Sequence, residues 1–137
     1  MRISLYDTSK FEAGSFADWP KDYNEIKSMK FSNYSNYLLL ATSDNSISLL
    51  DAFNGNEMHK FTNFMNESSI IECSFTPDER YVVSGSENGL VHVWDTQGNE
   101  ITQLKCHVEK VACVKFSPNM CLMVSAGRNI VFWLPPR

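Results

Sequence analysis

No apolar run in this 137-residue chain is long enough to cross a bilayer as a helix. The longest, Tyr37-Leu38-Leu39-Leu40-Ala41, falls far short of the roughly 20 residues a spanning helix needs. The opening Met1-Arg2-Ile3-Ser4-Leu5-Tyr6-Asp7 lacks the apolar core of a secretory signal. Positive charge is scarce as well: 12 Lys and Arg against 16 Asp and Glu leave a net charge of −4. Nothing general then draws the chain to nucleic-acid phosphates or anionic membranes, and neither is expected as a direct partner. Nucleotide-binding glycine patterns are missing, both the Gly-x-x-x-x-Gly-Lys run and the dinucleotide fingerprint. So is the nucleophile elbow Gly-x-Ser-x-Gly. The four cysteines, Cys73, Cys106, Cys113 and Cys121, form no C-x-x-C pair. Without a signal peptide they are expected to be reduced, as small buried hydrophobes in the cytosol or nucleus.

What the chain does have is a repeat. Hydrophobic residues at 43% and charged residues at 20% suit a folded protein. Phe31, Phe75 and Phe116 lie 44 and 41 residues apart, and each precedes Ser or Thr and a turn. Tyr6-Asp7, Leu50-Asp51 and Trp94-Asp95 recur at intervals of 44, with Phe132-Trp133-Leu134 as a version without the Asp. Within each unit, short alternating runs separated by turn residues read as antiparallel strands. The first complete unit predicts strands at Ile26–Phe31, Tyr37–Thr42, Ile47–Leu50 and Glu57–Phe61. The second predicts Ile70–Phe75, Tyr81–Ser86, Leu90–Trp94 and Glu100–Leu104, and the third Val111–Phe116, Cys121–Ser125 and Ile130–Trp133. Ahead of them, Ile3–Asp7 reads as the last part of a preceding unit, Thr8–Ser15 as a loop and Phe16–Trp19 as a short outer strand stopped by Pro20. The boundaries fall at 1–20, 21–64, 65–106 and 107–137, the last unit lacking its outer strand.

Four-stranded units at a period of about 40–45 residues, with Trp-Asp after the third strand, resemble WD repeats, the blades of a β-propeller. The resemblance implies an all-β fold, a partial propeller of about three four-stranded blades. Three blades and a remnant leave open edges, so completion is expected from a second copy or from a missing N-terminal half. It also implies a buried His-Ser-Asp-Trp network in each blade. In the last blade His107, Ser125 and Trp133 fit that pattern and the Asp is absent. In the middle blade Ser84 and Trp94 fit, Asn88 replaces the Asp and Asn66 stands in the place of the His. The first blade keeps Asp44, with Leu40 and Leu50 at two of the other places.

Each of these residues has a chemical reading and a structural one. His107 beside Ser125 has the composition of a base and a nucleophile, yet a buried polar network that satisfies itself explains the pair better. No catalytic residue is expected. Cys106, His107, Cys113 and Cys121 cluster along the chain, but structural zinc wants a close ligand pair, and neighbours on a strand end such as Cys106 and His107 would point to opposite sides. No metal and no cofactor is expected. His92, between Val91 and Val93, reads as a packing residue and His59 as solvated. Phe31, Phe75, Phe116, Trp94 and Trp133 recur at blade positions and read as core rather than as a platform for bases.

Finer resemblance lies in Asp51-Ala52-Phe53-Asn54-Gly55-Asn56-Glu57-Met58-His59-Lys60-Phe61, in Gly85-Ser86-Glu87-Asn88-Gly89-Leu90-Val91-His92-Val93-Trp94, in Lys30-Phe31-Ser32-Asn33 and in the ending Phe132-Trp133-Leu134-Pro135. Together these resemble the C-terminal half of the small WD-repeat subunit of COMPASS-type histone lysine methyltransferase complexes. That resemblance implies a nuclear, non-catalytic adaptor whose partners are proteins of methyltransferase, phosphatase or transcription-termination assemblies. Two alternatives stay open: a WD adaptor of another complex (ubiquitin ligase or trafficking, with a cytoplasmic setting), and a self-associating half-propeller of altered function. The loop after Phe61, carrying Phe64 and Met65 outside the strands, is the candidate partner-binding segment, against its plain reading as a connection between blades.

Overall fold

The computed structural model describes residues 1–66 and 72–136. Thirteen strands are described among them: β1 (Arg2–Tyr6), β2 (Ser15–Pro20), β3 (Ile26–Phe31), β4 (Tyr37–Thr42), β5 (Ser46–Asp51), β6 (Glu57–Phe61), β7 (Cys73–Phe75), β8 (Tyr81–Ser84), β9 (Leu90–Asp95), β10 (Glu100–Lys105), β11 (Cys113–Phe116), β12 (Met123–Ala126) and β13 (Ile130–Trp133). They pair in antiparallel meanders, β1-β2, β3-β4-β5-β6, β7-β8-β9-β10 and β11-β12-β13. The fold is therefore a partial propeller: a two-stranded remnant, two complete blades and a third of three strands.

Burial on both faces explains the composition of the central strands. On β4, Leu38 and Leu40 pack with Trp19 and Leu50 against the β1-β2 hairpin, while Leu39 and Ala41 face the second blade with Ile47, Leu49 and Phe75. A strand covered on both sides reads as a continuous apolar run rather than an alternating one. Strand β8 does the same, with Val82 in the layer between the first two blades and Val83 in the layer between the last two. Gly55 fits beneath the indole of Trp19, where a Cβ would come within 2.1 Å of the ring, and its φ of +72° favours glycine.

Several expectations are corrected. Thr8–Ala13 is a short 3-10 helix rather than a loop, and the Asp7 carboxylate caps it by accepting from Ser9 N–H at 2.8 Å. Strand β8 ends at Ser84 and β11 starts only at Cys113, because Ser86 C=O accepts from Val111 N–H at 2.9 Å across the blades. Those groups serve the junction instead of the ladder. Strand β12 begins at Met123, since the turn before it extends to Leu122, whose N–H bonds Met120 C=O at 2.8 Å. Residues 70 and 71 of the expected first strand of the second blade lie outside the described residues. Phe31, expected in the core, is 50% exposed, whereas Phe75 is buried against the Tyr37 ring at 6.2 Å. Among the described residues the sheet ahead of β3 consists of β1 and β2, without an inner strand to cover Phe31. Of the cysteines Cys73 alone is buried, while Cys106 and Cys113 are half-buried and Cys121 is exposed. Burial pushes the Cys73 thiol up to about 11.

Candidate functional site

In the third blade three side chains converge on one oxygen. Ser125, fully buried on β12, has His107 Nε2 at 2.8 Å and Trp133 Nε1 at 2.9 Å from its Oγ. An indole N–H only donates, so Ser125 accepts from Trp133 and shares its other bond with His107. Cys106 Sγ lies 3.9 Å from the same oxygen, so Cys106 and His107 approach it together and do not point apart. Strand alternation no longer applies to them, because β10 ends at Lys105. The serine oxygen is committed to holding β12, β13 and the segment before β11 together.

The second blade is built differently. Ser84 donates to Gly85 C=O at 3.0 Å, Asn88 is exposed and its Oδ1 accepts from Leu90 N–H at 3.1 Å. These bonds stay within their own turns and do not join Ser84 and Asn88 to Trp94. The Trp94 ring instead packs among Phe61 (5.1 Å), Phe64 (5.8 Å) and His92, which stacks on it at 5.4 Å with 13° between planes. His92 is more than a packing residue: its Nδ1 stands 2.7 Å from Glu100 Oε1, while its Nε2 is buried without a partner. Burial works against the Glu100 charge, but hydrogen bonds from Gln103 and His92 outweigh it and hold that carboxyl below its usual range. Asn66 is also buried, with its Oδ1 unpartnered.

In the first blade Asp44 sits in the turn between β4 and β5. Its carboxylate accepts from Thr42 Oγ1, from Ser46 Oγ at 2.7 Å and from Lys60 Nζ at 3.1 Å. The Thr42 and then the Ser46 hydroxyl, with Lys60 assisting, pull it down to about 2 against the opposing effect of burial. His59, expected to be solvated, is half-buried, and a Cβ on Gly98 of the next blade would lie 2.8 Å from its Nδ1.

The expected partner-binding pair divides. Phe64 is 6% exposed and belongs to the core between the first two blades, edge-on to Trp94, so it faces no partner. Met65 is 49% exposed, but its backbone is tied to the second blade, with its N–H bonded to Ser86 Oγ at 3.0 Å and its C=O to Glu87 N–H at 2.8 Å. Residues 67–69 of that loop lie outside the described residues. The apolar character of Phe64 at three residues from Phe61 was the available signal: it is a second aromatic for the Trp94 face.

A cluster absent from the sequence reading lies where the inner-strand turns of neighbouring blades meet. Glu79 is 6% exposed, and its carboxylate accepts from Tyr34 N–H and from Asn36 Nδ2 at 2.8 Å. Asn33 Nδ2 donates to Pro77 C=O at 3.0 Å. The turns are near copies of each other. Ser35 and Glu79 have φ of 59° and 58°, and Ser32 and Thr76 N–H bond Tyr37 and Tyr81 C=O at 3.0 Å each. The 44-residue spacing superposes these turns and was the signal that Glu79 faces a specific neighbour. Deeper along the inner strands, Lys30 Nζ donates to Ser74 Oγ at 3.0 Å and Lys115 pairs with Glu72. Among the described residues no three His, Cys, Asp or Glu gather as a metal site would require, and no helix is long and apolar enough to cross a membrane.

The family profile of the WD domain, G-beta repeat (WD40), matches residues 55–95 and 98–133. WD repeat-containing protein 82 of Drosophila melanogaster is 37% identical over 139 residues, covering 97% of this chain and 44% of the relative. Protein ANTHESIS POMOTING FACTOR 1 of Arabidopsis thaliana is 32% identical over 136 residues, covering 97% of this chain and 41% of the relative. The chain thus spans less than half the length of these relatives. A crystal structure of the computationally designed Ika4 protein is similar in fold, with a TM-score of 0.67 at 20% identity over 86% of this chain and 71% of that one. The chain belongs to the WD-repeat family, whose members generally act as protein-interaction scaffolds.

Proposed function

We propose that this chain is a non-catalytic adaptor, a nuclear subunit that joins histone methyltransferase or transcription-termination phosphatase machinery through protein–protein contacts. The observation that carries the reading is a rigid frame with apolar side chains on its turns. The blades share continuous buried layers, while Tyr34, Phe53 and Val108 are 73%, 93% and 101% exposed at the connections. A backbone already ordered in such a frame leaves the entropic cost of binding to the exposed side chains alone. The finer choice of complex rests on the motif resemblance in 30–33, 51–61, 85–94 and 132–135. The buried, doubly bonded Ser125 favours a structural over a catalytic role for His107.

The test is gentle purification of the tagged protein from its own cells and identification of what accompanies it. Methyltransferase, phosphatase or 3′-end-processing subunits are expected. Ubiquitin-ligase or trafficking subunits would overturn the choice of complex and keep the scaffold. A second reading, self-association, is favoured by β13, which pairs with β12 on one side and ends its sheet on the other. Native mass separates the two readings.

A further inference from the structure

The inner strands of the three blades carry Lys30, Ser74 and Lys115 at equivalent positions, 44 and 41 residues apart. Lys30 on β3 reaches across to the second blade, where its Nζ donates to Ser74 Oγ at 3.0 Å. Ser74 is buried and donates in turn to Phe75 C=O at 3.3 Å. Lys115 on β11 reaches back to the same blade and pairs with Glu72, whose carboxylate also accepts from Cys113 Sγ at 3.7 Å. That carboxylate is therefore engaged by the third blade, and among the described residues none pairs with Lys30. Two ammonium groups and one carboxylate leave the cluster with an unbalanced positive charge. Burial, and after it the charge of Lys115, hold the Lys30 amine below its usual range, as for a cation short of a partner. A cavity of about 230 Å³ lies where the ends of the three inner strands meet. Lys30, Phe31 and Asn33 of the first blade, Ser74 of the second, and Phe116 and Ser117 of the third stand in its wall, and Lys30 is the one charged residue among the described ones that line it.

We infer that this cavity receives the carboxylate of an Asp or Glu side chain from a partner protein. Its polar wall is rich in uncommitted donors. An ammonium group has three N–H bonds, and Lys30 uses one of them on Ser74. Asn33 uses one amide hydrogen on Pro77 C=O at 3.0 Å and keeps the other. Ser117 Oγ accepts from Asn119 N–H at 3.4 Å and keeps its own proton to donate. Charge-assisted hydrogen bonds from such donors to a carboxylate are roughly twice as strong as neutral ones. The charge balance selects among anions: one unmatched cation suits a monoanion, whereas a phosphorylated side chain brings about −1.5 to −2. Phe31, which is 50% exposed, and Phe116 flank the cation and offer apolar surface to the methylene stem of the incoming residue. The inference deepens the adaptor reading, on which it rests, by assigning one contact point and the chemistry of the residue that fills it.

The probe is the capped peptide N-acetyl-Gly-Glu-Gly-amide, alongside its Gln and phosphoserine twins. Binding to the full chain at constant ionic strength is read by the ¹³Cε resonance of Lys30 and the amide resonances of Ser74 and Ser117. The expected result is a saturable shift, with the Glu peptide bound at least tenfold more tightly than the Gln peptide and no more weakly than the phosphoserine one. The titration midpoint of the Lys30 amine is expected to rise on saturation, because a carboxylate beside it favours the charged form. Lys30→Met is expected to lower Glu-peptide affinity to that of the Gln twin. Its unfolding midpoint is expected to equal or exceed wild type, since an unbalanced cation is removed, so loss of binding is not loss of fold. Lys30→Arg is expected to keep the preference for Glu. Equal binding of the Glu and Gln peptides, no saturable shift, or undiminished binding to Lys30→Met would overturn the proposal. Tighter binding of the phosphoserine peptide would overturn it too, by making the occupant a phosphate. So would a dimer, seen by light scattering without peptide, that Lys30→Met dissolves. Failure of the peptide test while methyltransferase subunits still co-purify would remove the cavity as a contact point and leave the adaptor reading standing.

Discussion

Trp133 Nε1 donates to Ser125 Oγ at 2.9 Å, tying the last strand to its neighbour through the oxygen that also meets His107. Removing that oxygen leaves an indole N–H and an imidazole nitrogen without their partner. Ser125→Ala is expected to cost about 2 kcal/mol, the range for stranding buried polar groups. Urea unfolding followed by tryptophan fluorescence checks it, and a midpoint equal to wild type would show the hub to be energetically idle.

Phe64 packs edge-on against Trp94 at 5.8 Å and seals the layer between the first two blades. Phe64→Ala is expected to cost about 3 kcal/mol through lost burial and a residual cavity. Met65→Ala, at a half-exposed position, is expected to change stability by less than about 0.5 kcal/mol. The same denaturation series measures both, and the contrast separates a core aromatic from a surface one.

Asp44 supplies a pH-dependent term. Its folded value of about 2 lies below the ordinary 3.8, so its contribution is present above the unfolded value and is lost as pH falls through the folded one. Because part of this carboxylate is open to solvent, the contribution is about 1 kcal/mol at neutral pH. Asp44→Asn is expected to be less stable than wild type by that amount from pH 7 down to about pH 4. The gap should close towards pH 2. Unfolding midpoints across that range decide it, and a gap that persists below pH 2 would assign the effect to packing.

Glu79 links two blades through Tyr34 N–H and Asn36. Glu79→Ala is expected to cost about 2 kcal/mol, and Glu79→Gln, which keeps an acceptor, about 1 kcal/mol. Amide hydrogen exchange at Tyr34 is expected to accelerate in the Ala variant, with Leu39 and Leu49 in the blade core unchanged. Uniform acceleration across the chain would point to global unfolding instead of a local clasp.

Much of the architecture was legible in the chain because the repeat is a local property. Turn residues at fixed offsets and alternation in the runs between them place β3, β4, β6 and β13 to the residue, and the rest of the strands within a few positions. Several of the errors fall where a blade edge serves a neighbour. Ser86 and Val111 leave their expected strands because they bond each other across the junction. Phe31 and Phe75 look alike in the repeat, yet one is half exposed and the other buried, since the layer ahead of the first blade has too few strands to cover it.

The candidate site divides along the same line. His107, Ser125 and Trp133 could be named from the resemblance to WD repeats, because each is set by position within one blade. The same logic wrongly grouped Ser84, Asn88 and Trp94, whose partners lie in their own turns or in the aromatic layer of the adjacent blade. Residue periodicity by itself determined the number of blades, their strands and the family. Only the tertiary structure decided which side chains are buried, that Phe64 seals a core, and that Glu79 clasps the turn of the neighbouring blade. Period is written in the order of residues along a single strand and turn, whereas burial and clasping depend on what the neighbouring blade brings to the contact.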